Sequence, residues 1–200
     1  MNLNNITDNL FIVDYTEYHK NHPIESLPSN GVMFIEEPDC RLGAFCILNS
    51  NHISYKAINV EENQGLLTNS LGKLVKQCEC IFKANREEGR RWIMLLELKY
   101  CKERNIPTNM QNALYELEEC YDFLKNEKHY FEDSSYLIYL CVSHPEYEVV
   151  TPFENFLCNQ NKLLELKEKG VIFLYCNAIK ILTPEYLVKA NVPHRYQFVR

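Results

Sequence analysis

Glycine is scarce in this chain: six of 200 residues, none in a G-x-x-x-x-G-K or G-x-G-x-x-G array. A backbone cradle for the phosphates of a nucleoside triphosphate or dinucleotide therefore has no sequence to build it. Long hydrophobic runs are missing too. The longest apolar stretches, 136–142 and 170–176, fall far short of the roughly 20 residues that cross a bilayer. Residues 1–9 are polar, with no basic cluster leading into an apolar stretch, so no secretory signal is read there and a cytoplasmic location is expected. No repeat, low-complexity tract or linker interrupts the 200 residues, a length that suits one domain. Cysteine is plentiful at nine, yet no C-x-x-C occurs, and the closest pair, Cys78 and Cys80, is spaced poorly for zinc. An odd number scattered through apolar segments suits buried reduced thiols better than a disulfide framework.

The net charge of −6 disfavours nucleic acid until it is divided along the chain. Residues 72–104 carry nine basic and five acidic side chains, a local +4 that leaves −10 for the rest. Such a basic segment can follow a phosphate backbone although the whole protein is acidic. Lys73, Lys76, Arg90 and Arg91 are its candidate phosphate contacts.

Residues 31–36, 41–48 and 53–60 read as short strands bounded by turn residues, and an antiparallel meander is expected of them. The first thirty residues read as irregular. Asn69 or Ser70 is placed to cap a helix whose apolar positions Leu71, Leu74, Val75, Cys78, Ile81 and Phe82 follow the 3.6 period. Residues 92–101 (WIMLLELKYC) are too short and too uniformly apolar for an amphipathic helix, and read as a central strand buried on both faces. A helix opening at Pro107 or Thr108 carries Met110, Ala113, Leu114, Leu117, Tyr121 and Leu124 on one stripe. A buried strand over 135–142, a helix over 153–169 stopped by Gly170, and a hairpin of 170–176 with 178–182 complete the pattern. The tail from His194 to Arg200 reads as a last edge strand. Strands alternating with helices of this length predict an α/β fold, a mixed central sheet flanked by helices on its faces.

One stretch carries candidate chemistry. Along 92–101 the side chains alternate, so Ile93, Leu95, Glu97 and Lys99 share one face while Met94, Leu96 and Leu98 share the other. A buried strand thus ends in a carboxylate and an ammonium side by side, and a buried carboxylate needs a partner, a metal or an open cleft. The same Glu-Leu-Lys triplet recurs at residues 165–167 on a helix, where it is an ordinary solvated face. Setting, not composition, distinguishes the first copy.

Three pieces then go together: Pro38-Asp39 beside a strand, Glu97-Leu98-Lys99 closing a buried strand, and Gln111 with Tyr115 in a Q-x-x-x-Y spacing on the following helix. With them the chain resembles the PD-(D/E)xK nuclease superfamily over roughly residues 31–142, leaving 143–200 as a C-terminal α/β extension. The resemblance implies a restriction-endonuclease-like fold and a Mg²⁺ or Mn²⁺ ion held by Asp39, Glu97 and the backbone carbonyl of Leu98. It implies that Lys99 orients or activates the attacking water, with Gln111 and Tyr115 holding a phosphate or base. Where the helix from Ser70 plays the family's first-helix role, Glu79 becomes a candidate outer metal ligand. Hard carboxylate oxygens suit Mg²⁺, and such an ion stabilises the charge that develops in phosphodiester hydrolysis. DNA is the partner implied, in defence against foreign DNA or in repair. The alternative is a non-catalytic module whose acidic helix face, with Glu116, Glu118, Glu119 and Asp122, docks a partner protein or a second copy of the chain.

Overall fold

The computed structural model describes residues 2–21, 31–37, 43–131, 135–147 and 160–197. Within them run β1 (Asn2–Ile6), β2 (Leu10–Asp14), α1 (Tyr15–Asn21), β3 (Val32–Ile35), β4 (Phe45–Leu48), β5 (Tyr55–Asn59), β6 (Cys80–Ala84) and β7 (Arg91–Leu98). The chain continues through α2 (Ile106–Asn126), β8 (Tyr136–Ser143), α3 (Gln160–Glu168), β9 (Val171–Tyr175), β10 (Ala178–Ile181) and β11 (Leu187–Lys189). The class is α/β, built on two mixed sheets.

The first sheet has the order β1-β5-β6-β7-β8-β9, antiparallel as far as β7 and parallel from β7 to β9. The second has the order β11-β10-β4-β2-β3, with β10 and β4 its parallel pair. Strand β7 is buried on both sides, as its unbroken apolar run requires. Its Ile93 and Leu95 face α2, packing with Met110, Ala113, Leu117 and Leu124, while Trp92, Met94, Leu96 and Leu98 pack toward Phe45, Ile47 and Ile179 of the second sheet. Helices therefore cover one face of the first sheet and the second sheet covers the other, where helices on both faces were expected. A third apolar layer, Phe11, Val13, Cys46 and Ala178 with Tyr18 of α1 and Tyr196, closes the far side of the second sheet.

Several expectations are corrected. The N-terminal stretch is not irregular: β1 and β2 enter different sheets and α1 follows, with Asp14 Oδ1 accepting from the Thr16 and Glu17 amides at 2.7 and 3.2 Å. The three early strands form no meander, because β2 lies between β3 and β4 while β5 belongs to the other sheet. No helix starts at Ser70. Asn69 Oδ1 accepts from the amides of Leu71 and Lys73, Gly72 turns the chain at φ +75°, and Leu71 is 89% exposed. The asparagine thus closes a turn instead of capping a helix, a competition that such side chains often win. Downstream, Ile81 faces α2 while its neighbours Cys80 and Phe82 face the second sheet, which is strand alternation. Strands β9 and β10 make no hairpin, since the chain crosses between sheets at Cys176 and Asn177. Residues His194–Tyr196 form a single 3₁₀ turn, not an edge strand. Of the helix expected over 153–169, Gln160–Glu168 is observed and 153–159 lie outside the described residues. Among the described residues no helix is long and apolar enough to cross a membrane.

Candidate functional site

Register places the first pair of acids. Cys80 of β6 pairs with Leu96 of β7, so Glu79 enters the sheet beside Glu97, its amide donating to the Leu96 carbonyl at 3.0 Å. Glu97 is 3% exposed. Its Oε1 accepts from Lys99 Nζ at 2.6 Å, and the same ammonium donates to Glu116 Oε2 of α2 at 2.8 Å. Glu116 Oε1 stands 3.6 Å from Lys76 Nζ. The result is one lysine held by two glutamates, from β7 and α2, at the end of a buried strand, with Glu79 entering β6 beside Glu97.

Two carboxylate oxygens of this cluster stay sealed from solvent without a hydrogen-bond partner: Glu79 Oε2 and Glu97 Oε2. Burial pushes the Glu97 carboxyl up to about 8 although Lys99 pulls it down, and burial with the neighbouring Glu97 charge pushes Glu79 well up. The paired carboxylates hold Lys99 above its ordinary value against the opposing effect of burial, so this lysine stays a cation and is no proton acceptor near neutral pH. Two orphaned carboxylate oxygens are a donor set that a hard divalent cation fits, since Mg²⁺ takes one or two protein carboxylates and fills the rest with water and phosphate. Among the described residues no three His, Cys, Asp or Glu side chains form a ready-made metal cluster.

Most of the other expected site residues that the structure describes lie apart from this cluster. Asp39 lies outside the described residues. Gln111 and Tyr115 are exposed on α2, and it is Glu116, the next residue along, that turns toward Lys99. Lys73 is exposed on the turn over 68–74, while Lys76 reaches the site through Glu116. Arg90 and Arg91 occupy the opposite end of β7, about 20 Å from Glu97 at the strand rise. There they lie over the rings of Tyr186 and Tyr136, at 5.4 and 4.5 Å to the centroids. Leu98 closes β7 as expected, and the Lys99 amide donates to the Ser143 carbonyl at 2.9 Å, prolonging the pairing with β8. Of the acids expected on a docking face, Glu116 is consumed by this cluster.

Sequence reasoning missed Glu116 as a partner of Lys99, because its helix position reads as solvent-facing until β7 is laid against α2. His144, which the sequence places in a turn at a strand end near Cys141 and sets aside as no partner of a thiol nucleophile, is fully buried at the end of β8. His144 Nδ1 lies 3.1 Å from the Lys99 carbonyl and 3.9 Å from Cys101 Sγ. Burial lowers its pKa to about 4 and raises that of Cys101, so the pair is neutral thiol and neutral imidazole and no activated nucleophile. All seven cysteines among the described residues are free, six of them buried. A concavity of about 290 Å³ lined by Asp8, Asn9, Glu36, Asn49, Ser50 and His52 opens elsewhere and shares no residue with the glutamate cluster. No protein-family model, curated protein or solved structure matches the chain.

Proposed function

We propose that the protein is a metal-dependent nuclease of restriction-endonuclease-like fold that hydrolyses phosphodiester bonds of DNA, with Glu79, Glu97 and Lys99 as its working residues. The observation that carries this reading is the pair of buried, unpartnered carboxylate oxygens on Glu79 and Glu97 beside a locked lysine cation. Glu79 takes the part of the first acid that the resemblance gave to Asp39. The mixed sheet also supports the reading, because α2 carries the chain from β7 across to a parallel β8 and so leaves the end of β7 as a shared rim for β6, β7 and α2.

Glu79 and Glu97 would hold Mg²⁺ or Mn²⁺. When bound, such an ion supplies Lewis-acid charge and lowers the pKa of its water. Lys99 contributes a fixed positive charge beside the reacting phosphate, the role that a permanently protonated lysine can fill without moving a proton. Glu116 acts through Lys99: by accepting its second hydrogen bond it aims the ammonium at the rim. Glu116 is thus a positioning residue.

The test is Mg²⁺- or Mn²⁺-dependent cleavage of linear, circular and single-stranded DNA and of RNA by the wild type, Glu97→Gln and Lys99→Ala, each shown to be folded by circular dichroism. Cleavage that is lost in both variants and reduced in Glu116→Gln supports the proposal. Absence of cleavage on all substrates, or cleavage undiminished in Glu97→Gln, removes it.

A further inference from the structure

On the opposite face of the first sheet from Lys99, a second group of oxygens meets where the two sheets come together. Asn59 ends β5 and is 1% exposed. Its Nδ2 donates to the Val32 carbonyl of β3 at 3.0 Å. That carbonyl only accepts, so it fixes which end of the amide carries the NH₂ and leaves Oδ1 at the other. There Oδ1 has no hydrogen-bond partner.

Near Oδ1 lies another acceptor. Gly31, at φ +94°, leaves a space in which an added Cβ would stand 3.5 Å from Asn59 Oδ1 and 3.4 Å from Glu61 Oε2. Both oxygens therefore border one gap. Asp14 adjoins it from β2, where it pairs with Val32, and burial together with the Asp14 charge raises the Glu61 carboxyl. No lysine or arginine among the described residues forms an ion pair with Asp14 or Glu61. An orphaned buried amide oxygen bordering the same gap as a carboxylate, with a second carboxylate nearby, is an arrangement that lacks a positive charge.

We propose that this gap between the sheets is a binding site for a hard divalent cation, with the Asp14 and Glu61 carboxylates and Asn59 Oδ1 as its protein ligands. The amide oxygen favours Ca²⁺, which accepts carbonyl ligands in flexible geometry, over Mg²⁺, which keeps most of its water. Asp14 and Asn59 belong to different sheets, so the ion fastens one to the other. Glu97 is not its ligand, and the site does not depend on the nuclease reading, although Glu79, whose buried carboxyl the Asp14 and Glu61 charges help to raise, stands near it.

The test is thermal unfolding in EDTA and with added Ca²⁺ or Mg²⁺, run on Glu97→Gln so that the glutamate cluster cannot supply the response, and on Glu97→Gln/Glu61→Gln. At a hundredfold excess over its Kd, Ca²⁺ is expected to raise the Tm of Glu97→Gln by roughly 5 to 10 °C, and Mg²⁺ by less. Glu61→Gln removes the response but not the fold, because the new Nε2 can donate to Asn59 Oδ1. In EDTA the double variant is therefore at least as stable as its parent. Asn59→Asp, with a third carboxylate, lowers the Tm in EDTA and strengthens the Ca²⁺ response. The proposal is overturned if Glu97→Gln shows no Ca²⁺ response at millimolar concentrations, or if the response survives Glu61→Gln.

Discussion

A carboxyl held near 8 has opposite consequences for stability and for metal binding. In the unfolded chain Glu97 ionises near 4.5, and in the fold near 8. Between those values the native state keeps a proton that the unfolded chain has lost, so stability falls as pH rises through the window, by at most about 1.4 kcal/mol per pH unit. Glu97→Gln removes that dependence. Urea midpoints of the variant and wild type are expected to converge near pH 5 and to separate in favour of the variant by pH 8.5; parallel curves would show that Glu97 is ionised throughout. A metal ligand must shed its proton, so Mg²⁺ affinity and cleavage rise over the same window, and calorimetry in buffers of different ionisation enthalpy detects the released proton. Lys99→Ala leaves Glu97 and Glu116 without their shared cation. Because the lysine is 20% exposed, the expected cost is about 2 to 3 kcal/mol, below that of a fully buried pair, and it is greatest at alkaline pH where Glu97 can no longer hold its proton.

At the scale of elements, the test of the corrected secondary structure is a contrast between two leucines. On a helix from Ser70, Leu71 would join the same buried stripe as Leu74 and Cys78; in the fold it sits exposed at a turn while Leu117 is sealed between α2 and β7. Leu117→Ala is expected to cost about 2 to 5 kcal/mol and Leu71→Ala less than about 0.5 kcal/mol in denaturant unfolding. Equal costs would restore the helix. Elements whose pattern is sustained were legible in the sequence: β7 through its unbroken apolar run, α2 through six stripe positions that are all buried, β8 through its β-rich core. Around residues 70–82 the apolar spacing fits a helix, but Cys78, Cys80, Ile81 and Phe82 are buried because they cross between two cores, and spacing alone cannot separate the two causes. The same limit applied to the site. Glu97 and Lys99 announce themselves as charges ending a buried strand, whereas Glu79, Glu116, Asp14 and Asn59 acquire their meaning from partners distant in sequence. Those partners come from strand pairing and sheet packing, which local pattern does not encode.

The whole molecule depends on how two sheets share one apolar seam, and the crossover at Asn177 is one of the places where the chain passes between them. Asn177 Oδ1 accepts from Ser143 Oγ at 2.8 Å and from the His144 amide at 3.1 Å, its Nδ2 donates to the Tyr147 carbonyl at 2.6 Å, and its own carbonyl accepts from the Cys46 amide at 3.0 Å. One side chain thus ties β8 of the first sheet to the segment after it, while its backbone holds β4 of the second. Asn177→Ala strands the Ser143 hydroxyl and the His144 N–H in a buried setting, with an expected cost of about 3 kcal/mol. Trp92, fully buried beside Tyr55 with ring centroids 6.2 Å apart, reports on the seam by fluorescence, while far-ultraviolet circular dichroism reports on both sheets together. Because the seam is continuous from β2 and β4 through β5 to β8, the two signals should follow one transition in the wild type and in Asn177→Ala, displaced to lower denaturant in the variant. A fluorescence change that precedes the loss of circular dichroism in the variant alone would mean that Asn177 holds together two sheets able to stand apart, and that the seam by itself does not make them one folding unit.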